Sequence, residues 1–338
     1  MTSIARTPAP NPRGPDPQPP RNTRGVAGVL ALRGVDAADI RAILRRAAAY
    51  ADAAPGADTT HPALRRRPVA NLFFEDSTRT RLSFSIAAAR LGAAPLDLHA
   101  AGSSVSKGET LIDTARTVEA MGVAAMIVRH RCAGAAAAVA SRVACPVINA
   151  GDGRHEHPTQ GLLDALTFAQ AHGREDGFDF SGLTVAIVGD ALHSRVARSD
   201  AAAFTALGAR VVLAGPPALA PPALARALGC ESTHDLDEAL GAADAVQMLR
   251  IQFERLADTG AIAGPEAYAR AWQLTPERAA RMKRAAIVMH PGPMNRGVEI
   301  HPDVADGPSS RVLRQVDNGV PVRMATLAMC AEAAADHA

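Results

Sequence analysis

At 338 residues, 48% hydrophobic and 21% charged, the chain suits a soluble globular protein long enough for two domains of ordinary size. A net charge of +2 and 3% aromatic residues argue against a nucleic-acid partner. The apolar runs are short and interrupted, so no stretch of about 18 residues is available to span a membrane.

Met1 to Arg24 is crowded with proline, carries Arg6, Arg13, Arg21 and Arg24 against Asp16 alone, and lacks apolar periodicity. It is expected to be a disordered tail. It has no apolar centre for a signal peptide, and its prolines oppose the amphipathic helix of a transit peptide. Helical spacing begins at Asp36 and runs to about Ala53. Strand-like apolar runs follow at Val69–Phe74, Ala94–Leu98, Ala124–Val128 and Pro146–Ile148, alternating with helical stretches at Arg79–Leu91, Leu111–Met121 and Gly134–Val143. A helix from Pro158 to His172 and a polar, Gly-rich link, Gly173–Ser181, lead to a second such half. There strands are expected at Leu183–Val188, Arg210–Ala214, Ala245–Met248 and Ala286–Met289, with a helix at Ser194–Leu207 and a last one within Ser309–Ala335. Such alternation predicts parallel sheets covered on both faces. Val188-Gly189-Asp190 follows a strand, but the Gly-x-Gly-x-x-Gly fingerprint of nicotinamide binding is missing.

Cys132, Cys145, Cys230 and Cys330 have no metal-type spacing and are expected to be reduced core thiols of a cytoplasmic protein. Of 36 basic residues only Lys107 and Lys283 are lysines. A lysine in the loop Ser103–Thr110 therefore hints that a compact ammonium is needed there.

Polar clusters fall after the strands, where ligands sit in open α/β sheets. Phe73-Phe74-Glu75-Asp76-Ser77-Thr78-Arg79-Thr80-Arg81-Leu82-Ser83-Phe84 passes from a buried strand into hydroxyls and arginines at a helix start. Free N–H groups, the positive end of the helix dipole and guanidinium forks bind a phosphate well. Arg79 and Arg81 oppose the dipole themselves, so an anion is expected to offset them. Arg129 ends a strand at the same level. In Gly151-Asp152-Gly153-Arg154-His155-Glu156-His157-Pro158-Thr159-Gln160, Pro158 suits the first helical position, which makes His157 the cap and Gln160 a first-turn neighbour. His155-x-His157 could also suggest a metal, but no companion cluster supplies a third ligand; no metal and no cofactor are expected. His157 could relay a proton, and is better read as a donor that polarises a carbonyl. Arg195 and Arg198 open a further helix against its dipole, and Arg250 ends a strand. Two arginines converging from the second half would suit a dicarboxylate. The extended His290-Pro291-Gly292-Pro293 loop offers mainly carbonyl acceptors.

The Ser77–Arg81 run resembles the phosphate-binding signature of the aspartate and ornithine carbamoyltransferases, and the other blocks follow in that family's order from about Leu30 to Leu327. The resemblance implies an α/β fold of two doubly wound parallel-sheet domains with the active site in the cleft between them. Residues 25–172 would bind carbamoyl phosphate and 173–308 aspartate, with 1–24 a tail and 309–338 a helix returning to the first domain. It implies that Ser77, Thr78, Arg79, Thr80, Arg129, His157, Gln160, Gly292 and Pro293 bind carbamoyl phosphate, and that Lys107, Arg195 and Arg250 bind aspartate. Arg79, Thr80, Lys107, Arg129 and His157 would be catalytic, without a covalent intermediate. The matching loop of the family reaches into a neighbouring subunit, which implies a homotrimer with shared sites. Ornithine-specific members carry cysteine and leucine where this chain has Pro291-Gly292, which points to L-aspartate as acceptor, within pyrimidine biosynthesis. The Gly-Asp-Gly-Arg-His, His-Ser-Arg-Val-Ala-Arg-Ser and His-Pro-Gly-Pro-Met-Asn-Arg-Gly variants are most similar to chains that associate with a dihydroorotase-like partner.

Overall fold

The computed structural model describes residues 28–54, 56–99, 108–253 and 264–335. The Pro/Arg-rich tail and Ser103–Lys107 lie outside them. Two all-parallel sheets organise the chain. The first holds β1 (Pro68–Phe73), β2 (Ala94–His99), β3 (Ala125–His130) and β4 (Val147–Asp152) in the order β2-β1-β3-β4. Its companions are α1 (Ala37–Ala51), α2 (Thr78–Arg90), α3 (Leu111–Ala120), α4 (Ala135–Ala140) and α5 (Pro158–His172).

The second sheet holds β5 (Thr184–Val188), β6 (Arg210–Ala214), β7 (Glu231–Thr233), β8 (Ala245–Met248) and β9 (Ile287–Met289) in the order β7-β6-β5-β8-β9. Between its strands run α6 (Arg195–Ala206), α7 (Pro222–Leu228), α8 (Leu236–Ala242), α9 (Pro265–Trp272) and α10 (Pro276–Ala279); α11 (Pro302–Ala305) follows β9. Parallel neighbours need crossovers, and helices on both faces leave the strands buried all round. Val185, Ala186, Ile187 and Val188 are accordingly fully buried despite lying on alternate faces. The last helix, α12 (Val312–Ala335), packs against α1, α2 and α5, which belong to the first sheet's side of the molecule.

In each sheet the chain runs from a central strand to one edge and then crosses to the other side. The reversal lies between β1 and β3 in the first sheet and between β5 and β8 in the second. At such a point the loops leaving the carboxyl ends of neighbouring strands diverge and open a crevice. Both crevices feed the site described below.

Several expectations shift. β4 runs through Asp152 instead of stopping near Ile148, because Asn149 ties the strand's end together. Its amide donates to the Leu30 carbonyl at 2.9 Å and to Asp152 at 2.8 Å, and its carbonyl accepts from Gly151 N at 2.8 Å. The polar link Gly173–Ser181 is largely exposed, yet two of its side chains anchor it to the core. Phe178 and Phe180 within it are fully buried, and Phe180 meets Phe168 of α5 edge-to-face. Cys145, Cys230 and Cys330 are shielded, and burial pushes their thiols up to about 12, 11 and 12. Cys132 is exposed, contrary to its expected place in the core. The short elements α7, β7 and α8 carry too few apolar repeats to be anticipated.

Candidate active site

One cleft of about 510 Å3 opens between the carboxyl ends of the two sheets. Ser77, Thr78, Arg79, Thr80, Arg129, His157, Gln160, Arg195, Arg250, Gly292 and Pro293 all line it. Of the predicted site residues only Lys107 lies outside the described chain; Arg81 and Arg198 do not line the cleft.

The phosphate-type cradle forms where β1 hands over to α2. Ser77 is the extended N-cap (φ −164°, ψ 100°), and its hydroxyl makes no capping hydrogen bond. Its side chain and the first-turn N–H groups of α2 thus face the same space with the dipole's positive end. Arg79 crosses the cleft, its Nη2 donating to the Pro291 carbonyl at 3.2 Å. Gly292 has φ +60°, and a Cβ there would lie 2.8 Å from Arg79 Nη1. The backbone favours glycine here, and any side chain would displace the Arg79 guanidinium.

Arg129, at the end of β3, donates from Nη1 to the Ala150 carbonyl at 3.1 Å and lies 3.8 Å from Glu75. Gly151 (φ +114°) leaves room for it; a Cβ there would come within 3.2 Å of both Arg129 Nη1 and Arg195 Nε. His157 is the N-cap of α5, with Pro158 in the first turn as expected. It is buried, and its N–H donates to Ser199 Oγ at 2.9 Å. Burial, reinforced by Arg129, Arg323 and Arg195, holds its imidazole well below the ordinary histidine pKa. A neutral ring with one N–H can donate to a developing oxyanion without competing for its proton. His155 turns away to Asp152 at 3.0 Å. Among the described residues no group of three or more His, Cys, Asp or Glu side chains is placed to hold a metal ion.

The second sheet contributes Arg195 from α6 and Arg250 after β8. Arg195 is gripped by both oxygens of Glu75, at 2.9 and 2.8 Å. Arg250 Nε reaches Asn295 Oδ1 at 3.4 Å. Arg198 instead clamps the loop before α6, donating to the Ala191, Leu192 and Ser194 carbonyls. The 290–295 loop is held from beneath. His290 Nδ1 accepts from Gly292 N at 2.8 Å, so its proton sits on Nε2 and faces Glu299 at 3.2 Å.

Three contributors escape the sequence reading. Glu75 stands within the first motif, yet its contact with Arg195 spans 120 positions. Arg323 of α12 is buried at the cleft's floor, its guanidinium 5.0 Å above the Phe84 ring and donating to the Gly319 carbonyl at 2.8 Å. Desolvation, with Arg129 nearby, pulls its pKa down to about 9. Gly319 makes space for it, since a Cβ there would lie 2.6 Å from Arg323 Nη1. Asp164 lies behind Gln160, at the centre of a buried network that joins both sheets' helices. A lone arginine in a final helix carries no sequence signal, whereas an aspartate one helical turn after Gln160 carries a faint one.

Comparison with known proteins agrees with this geometry. The model of the aspartate/ornithine carbamoyltransferase carbamoyl-P binding domain matches residues 28–170, and that of the Asp/Orn binding domain residues 181–330. The aspartate carbamoyltransferase catalytic subunit of Myxococcus xanthus is 54% identical over 302 residues, covering 89% of this chain and 98% of its own. That of Salinispora arenicola is 52% identical over 301 residues, 88% and 96% of the two chains. The crystal structure of Trypanosoma cruzi aspartate transcarbamoylase with carbamoyl phosphate and aspartate superposes with a TM-score of 0.79 at 32% identity, covering 92% of this chain and 98% of that one. Ornithine carbamoyltransferase from Pyrococcus furiosus superposes with a TM-score of 0.76 at 30% identity, over 89% and 96%. Two domain models in sequence order, and relatives aligned over nearly their full lengths, place this chain in the aspartate/ornithine carbamoyltransferase family.

Proposed function

We propose that the chain transfers the carbamoyl group of carbamoyl phosphate to the amine of L-aspartate, releasing N-carbamoyl-L-aspartate and phosphate, a step of pyrimidine biosynthesis. The observation that carries this reading is the meeting in one cleft of a hydroxyl- and arginine-rich helix start with two arginines from the opposite sheet. The first suits a phosphate dianion and the second a dicarboxylate.

In this reading Ser77, Thr78, Arg79 and Thr80 hold the phosphate. Thr80, Arg129 and neutral His157 aim donors at the carbonyl oxygen, which becomes an oxyanion as the aspartate amine attacks. Gln160 and the carbonyls of the Pro291-Gly292-Pro293 loop receive the carbamoyl NH2, while Arg195 and Arg250 grip the acceptor's carboxylates. The C–N bond forms as the C–O bond to phosphate breaks, and the amine proton leaves on the departing phosphate. Removal of one oxyanion donor typically costs about 2.7–4 kcal/mol, roughly 100- to 1000-fold in rate.

A homotrimer follows from the same reading, with Lys107 working in the neighbouring subunit's site. Support comes from Leu82 and Ile86, exposed one turn apart on α2, and exposed Leu96 on the edge strand β2 that leads toward the Lys107 loop. A cytoplasmic location, in keeping with four unpaired cysteines, and a higher assembly with a dihydroorotase-like chain, on the strength of the motif variants alone, belong to this proposal. No helix among the described residues is long and apolar enough to cross a membrane.

A panel of amine acceptors tests the reaction. L-Aspartate should be carbamoylated and L-ornithine should not. Carbamoylation of ornithine in preference to aspartate would reassign the acceptor within the family.

A further inference from the structure

A carboxylate that only accepts hydrogen bonds dictates the orientation of every amide that touches it. Asp164, fully buried on α5, has three such neighbours. Its Oδ1 takes Gln160 Nε2 at 3.0 Å and Gln315 Nε2 at 2.7 Å, and its Oδ2 takes Gln247 Nε2 at 2.8 Å. These glutamines come from α5, α12 and β8 respectively. Asp200 of α6 completes the cluster. Its Oδ2 also accepts from Gln247, at 3.1 Å, while its buried Oδ1 has no donor facing it. Burial and the neighbouring Asp164 raise the pKa of Asp200 well above the ordinary carboxylate range, which favours its neutral form. Burial lifts the Asp164 pKa to about 6 against the pull of its three amide donors, so near neutral pH it stays the ionised acceptor.

For each glutamine the NH2 end faces inward, so the carbonyl oxygen must point elsewhere. Gln315 Oε1 accepts from His290 N at 2.8 Å, which seats the first residue of the 290–293 loop. Gln160 lines the cleft, and among the described residues its Oε1 accepts no hydrogen bond. If the carboxamide were reversed, an oxygen would face Asp164 Oδ1 and an NH2 would face the cleft. The first is repulsive, and the second would oppose a substrate NH2 with donors.

We infer that Asp164 is the positioning residue that keeps the Gln160 carbonyl oxygen turned into the cleft, and so makes the site prefer an acyl phosphate bearing NH2 over its methyl counterpart. The inference rests on the carbamoyl-transfer reading, since that reading supplies an NH2 for Gln160 to receive. Gln315 links the same carboxylate to the loop that offers the other carbonyl acceptors, so one buried anion orients both walls of the amide pocket.

The test is the ratio of dissociation constants for acetyl phosphate and carbamoyl phosphate, measured by calorimetry on the full chain without aspartate. Wild type should favour carbamoyl phosphate, because acetyl phosphate presents a methyl group to an unpaired carbonyl oxygen. Asp164→Leu should cut that preference about tenfold, the effect of one lost or inverted hydrogen bond. Asp164→Asn keeps an oxygen toward Gln160 and should largely retain it, a rescue that a purely structural role for the charge would not give. Full preference in Asp164→Leu overturns the inference. Gln160→Met leaves Asp164 its other partners and should lose the preference equally; retention there overturns the inference whether or not Asp164→Leu folds. Because binding is read without turnover, an intact preference with no N-carbamoyl-L-aspartate formed would defeat the proposed reaction and leave this inference standing.

Discussion

Glu75 holds Arg195 bidentately across the cleft, with both nitrogen–oxygen distances below 3 Å. The carboxylate leaves the end of β1 and the guanidinium stands in the first turn of α6, so the pair ties the first sheet's side to the second. Arg195 was expected to bind the acceptor. Here its fork is already matched to a protein carboxylate, and Arg129 lies on the same carboxylate at 3.8 Å. Glu75 therefore fixes where two positive groups stand before any acceptor arrives. Replacing it with alanine should raise KM for aspartate and lower kcat together, by about 10- to 100-fold, the scale of a charge-assisted hydrogen-bond pair. Steady-state kinetics at fixed saturating carbamoyl phosphate read this directly, and wild-type constants would remove Glu75 from the site.

Gly292→Ala should act through Arg79. The new methyl would sit within 3 Å of the guanidinium, at a backbone φ that favours glycine. Carbamoyl phosphate affinity should fall about tenfold or more while thermal stability changes little beyond the local strain of about 1 kcal/mol. Equal affinity in the two proteins would show that Arg79 does not hold the donor from that position.

His157 makes a pH prediction with a definite sign. Its folded pKa lies well below the unfolded value near 6.5. Between those two values the unfolded chain binds a proton that the native state refuses. The group's contribution to stability is thus complete above about pH 6.5 and is lost as pH falls toward the folded pKa. Urea unfolding of His157→Gln should show a smaller difference between pH 7.5 and pH 5.5 than wild type does. An unchanged difference would mean that His157 titrates normally.

If sites are shared in a trimer as proposed, mixing inactive Lys107→Ala chains with inactive Arg79→Ala chains should restore part of the activity, because some sites of a mixed trimer would be free of both changes. Proven mixed oligomers with no recovered turnover would confine each site to a single chain.

Contact range decided what the sequence disclosed. Ser77 to Thr80, His157 with Pro158 and Gln160, and the Pro291–Pro293 loop are contiguous, and each follows a strand whose apolar run is plain. Their arrival in one cleft was legible because parallel sheets send all such loops to one edge. Glu75, Asp164 and Arg323 were not legible as partners, since what they do depends on groups 80 to 150 positions away or on an aromatic face. The link Gly173–Ser181 is mostly exposed, as its composition suggests, but its two anchors were not legible. Phe178 and Phe180 join a core cluster most of whose other members lie far along the chain, Phe180 meeting Phe168 of α5 and Phe204 of α6.

The division of labour between the two sides of the cleft is tested most directly by measuring both substrates in two variants. Arg250→Ala should raise KM for aspartate at least tenfold, the effect expected for a charge-assisted hydrogen bond, with carbamoyl phosphate affinity unchanged. Arg79→Ala should lose carbamoyl phosphate affinity and nearly all turnover. A selective carbamoyl phosphate defect in Arg250→Ala, or wild-type-like kinetics in Arg79→Ala, would contradict the assignment of donor and acceptor to opposite sides of the cleft.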